Sequence, residues 1–450
     1  MDVTALGNYF NEQFIAASVS TWDTIRVAII HGGWMGLFVF FIEVSFGLFY
    51  DRMTGLFAGG LKFTYLAVSI PKLNEQTPRA VENFFNQLAG AHVTQDLVEK
   101  YWLGELQPWF SFEIVSIEGY LQFIIYTPKK FRDLTEAALY AQYPDAEITE
   151  IEDYCKFAPA KFPDAEYDAW GTEFTLAHEA HFPLLTYKDF EHSVTKEYFK
   201  DPMAAMLEAM SRIGKGEQVW FQIFVQPTGK DWQKKHFAEA AALTTKLVDE
   251  RATAERPFPL LHRGETDLVE AVHHKATKNG FKCKMRAIYI AKKEVYNAKR
   301  VQYGVVGALK QYSRDDSNGI KPLYSLTGVT GHYLFKDWQK NNRKTDIVTA
   351  FRKRSGSRGG DKYILNTEEL ATLWHFPLAH AVRAPSLAVV QAKRGEAPGR
   401  LPLESEFDME PDGPPIEKPE PVELTPERIA PEATQGASHR APPPPNLPTA

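Results

Sequence analysis

The hydrophobic pattern divides the chain into three stretches of different character. From Val27 to Tyr50 apolar residues dominate with no polar face, through Val27–Ile30, Trp34, Leu37–Ile42 and Phe46–Tyr50. A core helix would keep one polar side, whereas about 20 apolar residues at 1.5 Å rise each suffice to cross a bilayer. Residues 27–50 are therefore expected to form a transmembrane helix, with residues 1–26 as a short extracytoplasmic N-terminus. The run begins too far into the chain for a cleaved signal peptide, and no small-residue cleavage site follows it.

After this run the period changes to that of an α+β body. Leu61–Ile70 (LKFTYLAVSI) reads as a strand closed by Pro71. Thr77-Pro78 then marks a helix start, with Val81, Phe84, Phe85 and Leu88 as its apolar stripe. Phe110–Ile117 and Tyr120–Tyr126 read as strands joined at Glu118-Gly119, where glycine supplies the positive φ of a tight hairpin turn. A helix over about 130–142 and a strand over 146–151 complete the order β-α-β-β-α-β. That order is the split βαβ, or ferredoxin-like, arrangement, and it predicts a first domain over 61–155.

Further on, Gly171–Ala177, Gln218–Val225 and Phe281–Ala291 read as strands. Pro202–Ile213, Asp231–Glu250, Thr266–Asn279 and Lys293–Tyr312 read as helices, which predicts a second ferredoxin-like α+β domain over 170–312 with an inserted helix. Residues 313–394 show no clean period and are expected to be irregular. Residues 395–450 are rich in Pro and Glu, cannot bury enough apolar surface to fold, and are expected to be disordered. The predicted fold class is thus α+β: a transmembrane helix, two ferredoxin-like units and a disordered tail.

Charge sharpens the membrane reading. Arg52, Lys62, Lys72 and Arg79 follow the apolar run, while Asp2, Glu12 and Asp23 outweigh Arg26 before it. This asymmetry predicts a single-pass inner-membrane protein with its body in the cytoplasm. Within the run, Gly32 and Gly36 have the GxxxG spacing that lets two helices approach and would serve a homo-oligomer, although glycine is also common in membrane helices. Glu43 inside the run reads either as a contact with another membrane helix or polar pore, or as a carboxylate reaching the headgroups. The net charge of −6 is concentrated in the tail, which holds 11 acidic and 4 basic residues from Glu396 onward, so no overall basic signal points to nucleic acid. The two cysteines, Cys155 and Cys283, have no metal-ligand spacing and read as free thiols.

Catalytic motifs are lacking. Gly214-Lys215-Gly216 is followed by Glu217 where a P-loop needs a hydroxyl. His178-Glu179-Ala180-His181 is one residue short of a zincin signature, and adjacent His273 and His274 face different directions on a helix. No nucleophile elbow is present. The expectation is a protein that is not an enzyme, with no catalytic, metal or cofactor site. The remaining candidate is the basic stretch 336–362, with Lys336, Lys340, Arg343, Lys344, Arg352, Lys353, Arg354 and Arg358 interleaved with Trp338 and Phe351. Such a stretch, with a flexible SGSRGG portion, reads as a tracker of nucleic-acid phosphates or anionic headgroups, or as a solvated loop folded on the body.

Several long segments carry a family resemblance. They are EQTPRAVENFFNQLAG (75–90), residues 110–154, GEQVWFQIF (216–224), YILNTEELATLWHFP (363–377) and the stretch containing QAKRGEAPG (384–400). Together they resemble an uncharacterised family of membrane-anchored proteins of small-genome bacteria. A comparable module stands in front of, or is encoded beside, ATPases of the conjugative DNA-transfer and type IV secretion kind. In this chain a Pro-rich tail stands where the motor's Walker A would begin. The resemblance implies a non-catalytic scaffold or adaptor of a DNA-transfer, secretion or pilus-type machine, working with a separately encoded motor ATPase. Residues 363–377 would then be a docking element for that motor, with Leu370, Leu373, Trp374 and Phe376 as apolar anchors. The plainer reading is that this segment packs on its own body. The second functional reading is a membrane-tethered nucleic-acid-binding module using 336–362.

Overall fold

The computed structural model describes residues 21–70, 74, 76–190, 201–251, 261–329, 331 and 335–378, with Asn8 and Glu12. The expected N-terminal segment up to residue 20 and the Pro-rich tail lie outside the described residues, apart from those two positions. The chain opens with α1 (Thr21–Ala28), a π-helical stretch (Ile29–Gly33) and α2 (Trp34–Gly60). Helix α2 is long and apolar enough to cross a membrane, and none of its residues is buried. The apolar run predicted a helix ending at Tyr50, yet α2 continues ten residues further, to the Gly59-Gly60 pair. Asp51 and Arg52 end the apolar stretch without interrupting helical hydrogen bonding. Gly32 has φ +110° in the π-helical stretch, so Gly32 and Gly36 are not one regular helical turn apart. The GxxxG reading presupposes that turn and loses its geometry here.

The body is one sheet. In chain order the elements are β1 (Phe63–Ser69), α3 (Pro78–Leu88), α4 (Leu97–Tyr101), β2 (Phe110–Ile117), β3 (Tyr120–Pro128), α5 (Arg132–Tyr140), β4 (Glu147–Ile151) and β5 (Tyr167–Leu176). They continue with α6 (Ala204–Ser211), β6 (Glu217–Pro227), α7 (Asp231–Arg251), α8 (Arg263–Thr277), β7 (Gly280–Lys292), α9 (Ala298–Lys310), β8 (Ile320–Pro322) and α10 (Tyr324–Thr327). The last are α11 (Lys336–Arg352), β9 (Tyr363–Asn366) and α12 (Thr367–Leu373). The β2–β3 hairpin turns where the sequence places it, with Glu118 at φ 54° and Gly119 at φ 92°.

The strands form a nine-stranded sheet in which eight run in the order β4-β1-β3-β2-β6-β7-β5-β8 and β9 pairs with β7, and each of these pairings is antiparallel. Two separate domains were expected, but β2 and β6 pair along Phe110–Ile117 and Gln218–Val225 and make the sheet continuous. Outward from that seam the order is the same on both sides: second, third, first and fourth strand of each half. Strand β9 adds to the first four residues of β7, which project beyond the end of β5.

The region 313–394, expected to be irregular, contains β8, α10, α11, β9 and α12. Its helix α11 escaped notice because its apolar residues, Ile347, Val348, Ala350 and Phe351, crowd into the last two turns. Ile347, Val348 and Phe351 cover one face of the sheet with Trp220, Ile288 and Ile290. The other face carries the larger core beneath α3, α5, α6, α9 and α12, including Phe84, Phe112, Phe123, Phe221 and Trp374.

Candidate functional site

The face of the sheet that α11 covers carries an unusual row of polar side chains at its centre. In the register, Glu113 on β2 lies opposite Gln222 on β6, Gln222 opposite Arg286 on β7, and Arg286 opposite Glu173 on β5. Residues directly opposite in adjacent strands stand side by side on one face, so the four form a ladder across four strands. All four are at most 2% exposed, and buried polar groups at that depth need partners.

They find them in one another and in the loop after α11. Glu113 Oε1 accepts from Ser111 Oγ at 2.7 Å, Gln222 Nε2 at 2.9 Å and Arg354 Nε at 3.0 Å. Its Oε2 accepts from Tyr154 OH at 2.8 Å and Arg354 Nη2 at 3.1 Å. Arg286 donates to Gln222 Oε1 at 3.1 Å and to Glu173 Oε1 at 2.7 Å. Arg286 Nη2 also donates to the carbonyls of Ser355 at 2.6 Å and Arg358 at 3.0 Å, and Lys284 Nζ donates to the Arg358 carbonyl at 2.6 Å. Gly360 N–H donates to Glu173 Oε2 at 2.6 Å.

The SGSRGG portion, expected to be flexible, is thus held down by its own carbonyls. Gly359 sits at φ +87°, and a Cβ there would meet the Glu173 carboxylate at 2.2 Å. Glycine is required there by both the backbone conformation and the close approach of the carboxylate.

The predicted phosphate-contacting cations separate into different roles. Arg354 is fully buried at φ 45° and is gripped by Glu113 and Asp153. Its guanidinium lies 4.8 Å from the Tyr65 ring centroid, 5.1 Å from that of Tyr126 and 5.6 Å from that of Tyr154. Burial works to push the Asp153 carboxyl up, but Arg354 and its hydrogen bonds hold it below the usual carboxylate range. Burial pushes the Cys155 thiol up, so it stays protonated at neutral pH and is a poor nucleophile. Lys344 is buried and ion-paired with Asp168, and Arg352 donates to the Ala158 carbonyl at 3.2 Å. Arg343 and Arg358 line a cavity of about 320 Å³ with Glu173, Asp346 and Thr327. Lys336, Lys340 and Lys353 are exposed. The stretch is therefore not a continuous basic tract, since the sheet absorbs two of its cations.

The predicted docking anchors are in the core. Leu370, Leu373, Trp374 and Phe376 are each at most 1% exposed. The Trp374 ring stands edge-on to Phe85, Phe112 and Phe123, at centroid distances of 6.4, 5.0 and 5.7 Å. Asn366 caps α12, with Glu369 returning the capping-box bond to its backbone N–H. Lys275 on α8 reaches Glu369 at 2.9 Å, with both side chains fully buried. His375 bonds Asp201 at 3.0 Å. The segment joins the two halves of the sheet and offers no surface to a partner. On α2, Glu43 lies at the exposed surface.

The ladder itself escaped sequence reading. Its signal was a charged or amide residue in the middle of an apolar strand, as in FSFEIV, VWFQIF, KMRAIY and GTEFTL. Among the described residues no group of three or more His, Cys, Asp or Glu side chains is placed to hold a metal ion. Both cysteines are buried and free.

Comparison with protein families places the chain. A model for a domain of unknown function, DUF8128, matches residues 66–385, and the chain belongs to that family. A comparison with curated proteins gives no match.

Proposed function

We propose that this chain is a non-catalytic, single-pass membrane scaffold with its body in the cytoplasm. The observation that carries the reading is the contrast between α2 and the body. Helix α2 exposes Phe38, Phe40, Phe41 and Leu48 along its length, each more than half exposed. The body spends its buried polar groups on holding one sheet rigid. A long row of exposed aromatic and aliphatic side chains on a lone helix calls for lipid around it.

On this reading the sheet is a pair of split βαβ, ferredoxin-like repeats joined edge to edge at β2 and β6. The repeated strand order on each side of the seam supports that reading. The two outer strands, β4 and β8, are short, and short edges suit a protein that binds partners through helices and loops.

The machine served would be of the DNA-transfer, type IV secretion or pilus kind, with a separately encoded motor ATPase. That part rests on the resemblance alone. A motor would have to engage the outer surfaces, because residues 363–377 are internal. In-cell crosslinking, purification from native membranes and mass spectrometry test the proposal. Near-stoichiometric recovery of a secretion-type ATPase is the expected result. Recovery of DNA alone, lost on nuclease treatment, would replace the scaffold with a nucleic-acid module working through Lys336, Lys340 and Lys353. Recovery of the chain by itself would remove the scaffold reading.

A further inference from the structure

A second apolar surface sits against α2 and comes from the body. Helix α4 is short and is capped by Asp96, whose carboxylate accepts from Glu99 N–H at 2.7 Å. Its residues point outward rather than into the core. Leu97 is 75% exposed, Val98 60% and Trp102, just past its end, 66%. A water-facing helix would show polar residues at these positions, and such a cluster marks an interaction site.

The cluster is fastened to α2 at one level. Tyr101 lies 6.2 Å from Phe46 and 6.0 Å from Tyr50, and Trp102 lies 5.3 Å from Phe49, between ring centroids. Just beyond, Gly104 brings backbone against backbone. At φ +67° it would place a Cβ 2.4 Å from the Met53 carbonyl carbon and 2.5 Å from Thr54 N. Only glycine permits that approach. Beside the contact an apolar groove of about 560 Å³ runs between Trp102 and Phe38, Phe41, Phe46 and Phe49 of α2.

The level of this contact matters. Phe46 to Tyr50 closes the apolar run, and Asp51 and Arg52 follow at once. Tyrosine and tryptophan collect at the boundary between headgroups and acyl chains, where an amphipathic ring satisfies both sides. Tyr50, Tyr101 and Trp102 meet at that boundary.

We propose that residues 96–104 form an interfacial wedge, in which Leu97, Val98 and Trp102 insert among phospholipid acyl chains beside the cytoplasmic end of α2. The proposal rests on α2 spanning a bilayer and adds a second lipid contact, made by the body. Two contacts fix the tilt and rotation of the sheet above the membrane, which one helix followed by a hinge would leave free. The occupant is lipid because the patch continues the lipid-facing surface of α2 without a polar break.

The test uses the full chain in phosphatidylcholine vesicles, with an environment-sensitive fluorophore on a cysteine introduced by Val98→Cys. The native Cys155 and Cys283 are buried, which keeps the labelling specific. Phe41→Cys reports on α2 and Lys353→Cys on the body. The expected result is a blue shift at position 98, with quenching by lipid spin-labelled near the headgroup and protection from iodide. Position 41 should be quenched by lipid labelled deep in the chain, and position 353 by iodide. An iodide-accessible, unshifted probe at 98 beside a deep probe at 41 would overturn the wedge and leave the anchor standing. An iodide-accessible probe at 41 would overturn both. A probe at 98 shielded from iodide and from lipid alike would mean that protein covers the patch, and would also overturn the wedge.

Discussion

The two faces of the sheet are built from the same strands and held by different physics. On β2, Phe110, Phe112 and Ile114 point to one side and Ser111 and Glu113 to the other. On β6 the split is Phe221 and Ile223 against Gln222, and on β7 Met285 and Ala287 against Arg286. The first face is apolar, and its elements are kept in place by area removed from water, which has no preferred direction. The second has a ladder of charges at its centre, where each bond has a required length and angle. A buried ion pair adds little net stability compared with apolar residues of the same shape, yet breaking one partner is costly. The apolar face thus supplies stability, and the polar face dictates a single conformation for the loop over 353–362.

The comparison can be broken from either side. The largest effect is expected from Trp374→Ala. It opens a cavity among Phe85, Phe112 and Phe123 and should cost about 3–5 kcal/mol in denaturant unfolding of the detergent-solubilised protein. A loss below about 1 kcal/mol would show that the segment is not a core element. Next, Arg354→Met leaves Glu113 buried without its guanidinium and should cost around 3 kcal/mol. Glu113→Leu combined with Arg354→Met should recover most of that loss, since the two sites are coupled. Because Arg286, Lys284 and Glu173 anchor the loop, slow amide exchange at Gly356–Gly360 should persist in the double variant. If the double variant were as unstable as Arg354→Met, the ladder would be a source of stability and the contrast between the faces would fail.

Much of the sheet was legible because it depends on local signals. The β2–β3 hairpin follows from Glu118-Gly119, and α3 from Thr77-Pro78 and its apolar stripe. The seam between β2 and β6 was not legible, because 110–117 and 218–225 lie far apart in sequence and nothing local specifies their pairing. Helix α11 was missed for a different reason. Its exposed half carries Lys336, Lys340 and Arg343, which read as a solvated basic run, and only its last turns face the sheet. Trp374 and Phe376 look the same in sequence whether they anchor a partner or fill a core. The choice depends on whether Phe85, Phe112 and Phe123 are there to receive them, and that is tertiary information.

The smallest effect sharpens the comparison at the rim of the polar face. Lys362 donates to Gln226 Oε1 at 2.9 Å, and its ammonium lies 5.2 Å from the centroid of the Phe224 ring. Burial, together with the nearby Lys282 and Lys284 cations, pushes this amine down to about 8. An unfolded lysine titrates near 10.4, so between about 8 and 10.4 the unfolded chain holds a proton that the folded chain has released. Folding stability contributed by this group therefore rises with pH across that window, and below about 8 its penalty is constant. Lys362→Met removes the titration. Whichever protein melts higher at pH 7, the native chain should gain on the variant between pH 7 and pH 9.5, measured as the difference of their melting temperatures at each pH. A difference independent of pH would mean that the Lys362 amine is hydrated like any surface lysine. The electrostatic cost of the polar face would then be confined to the ladder and its loop.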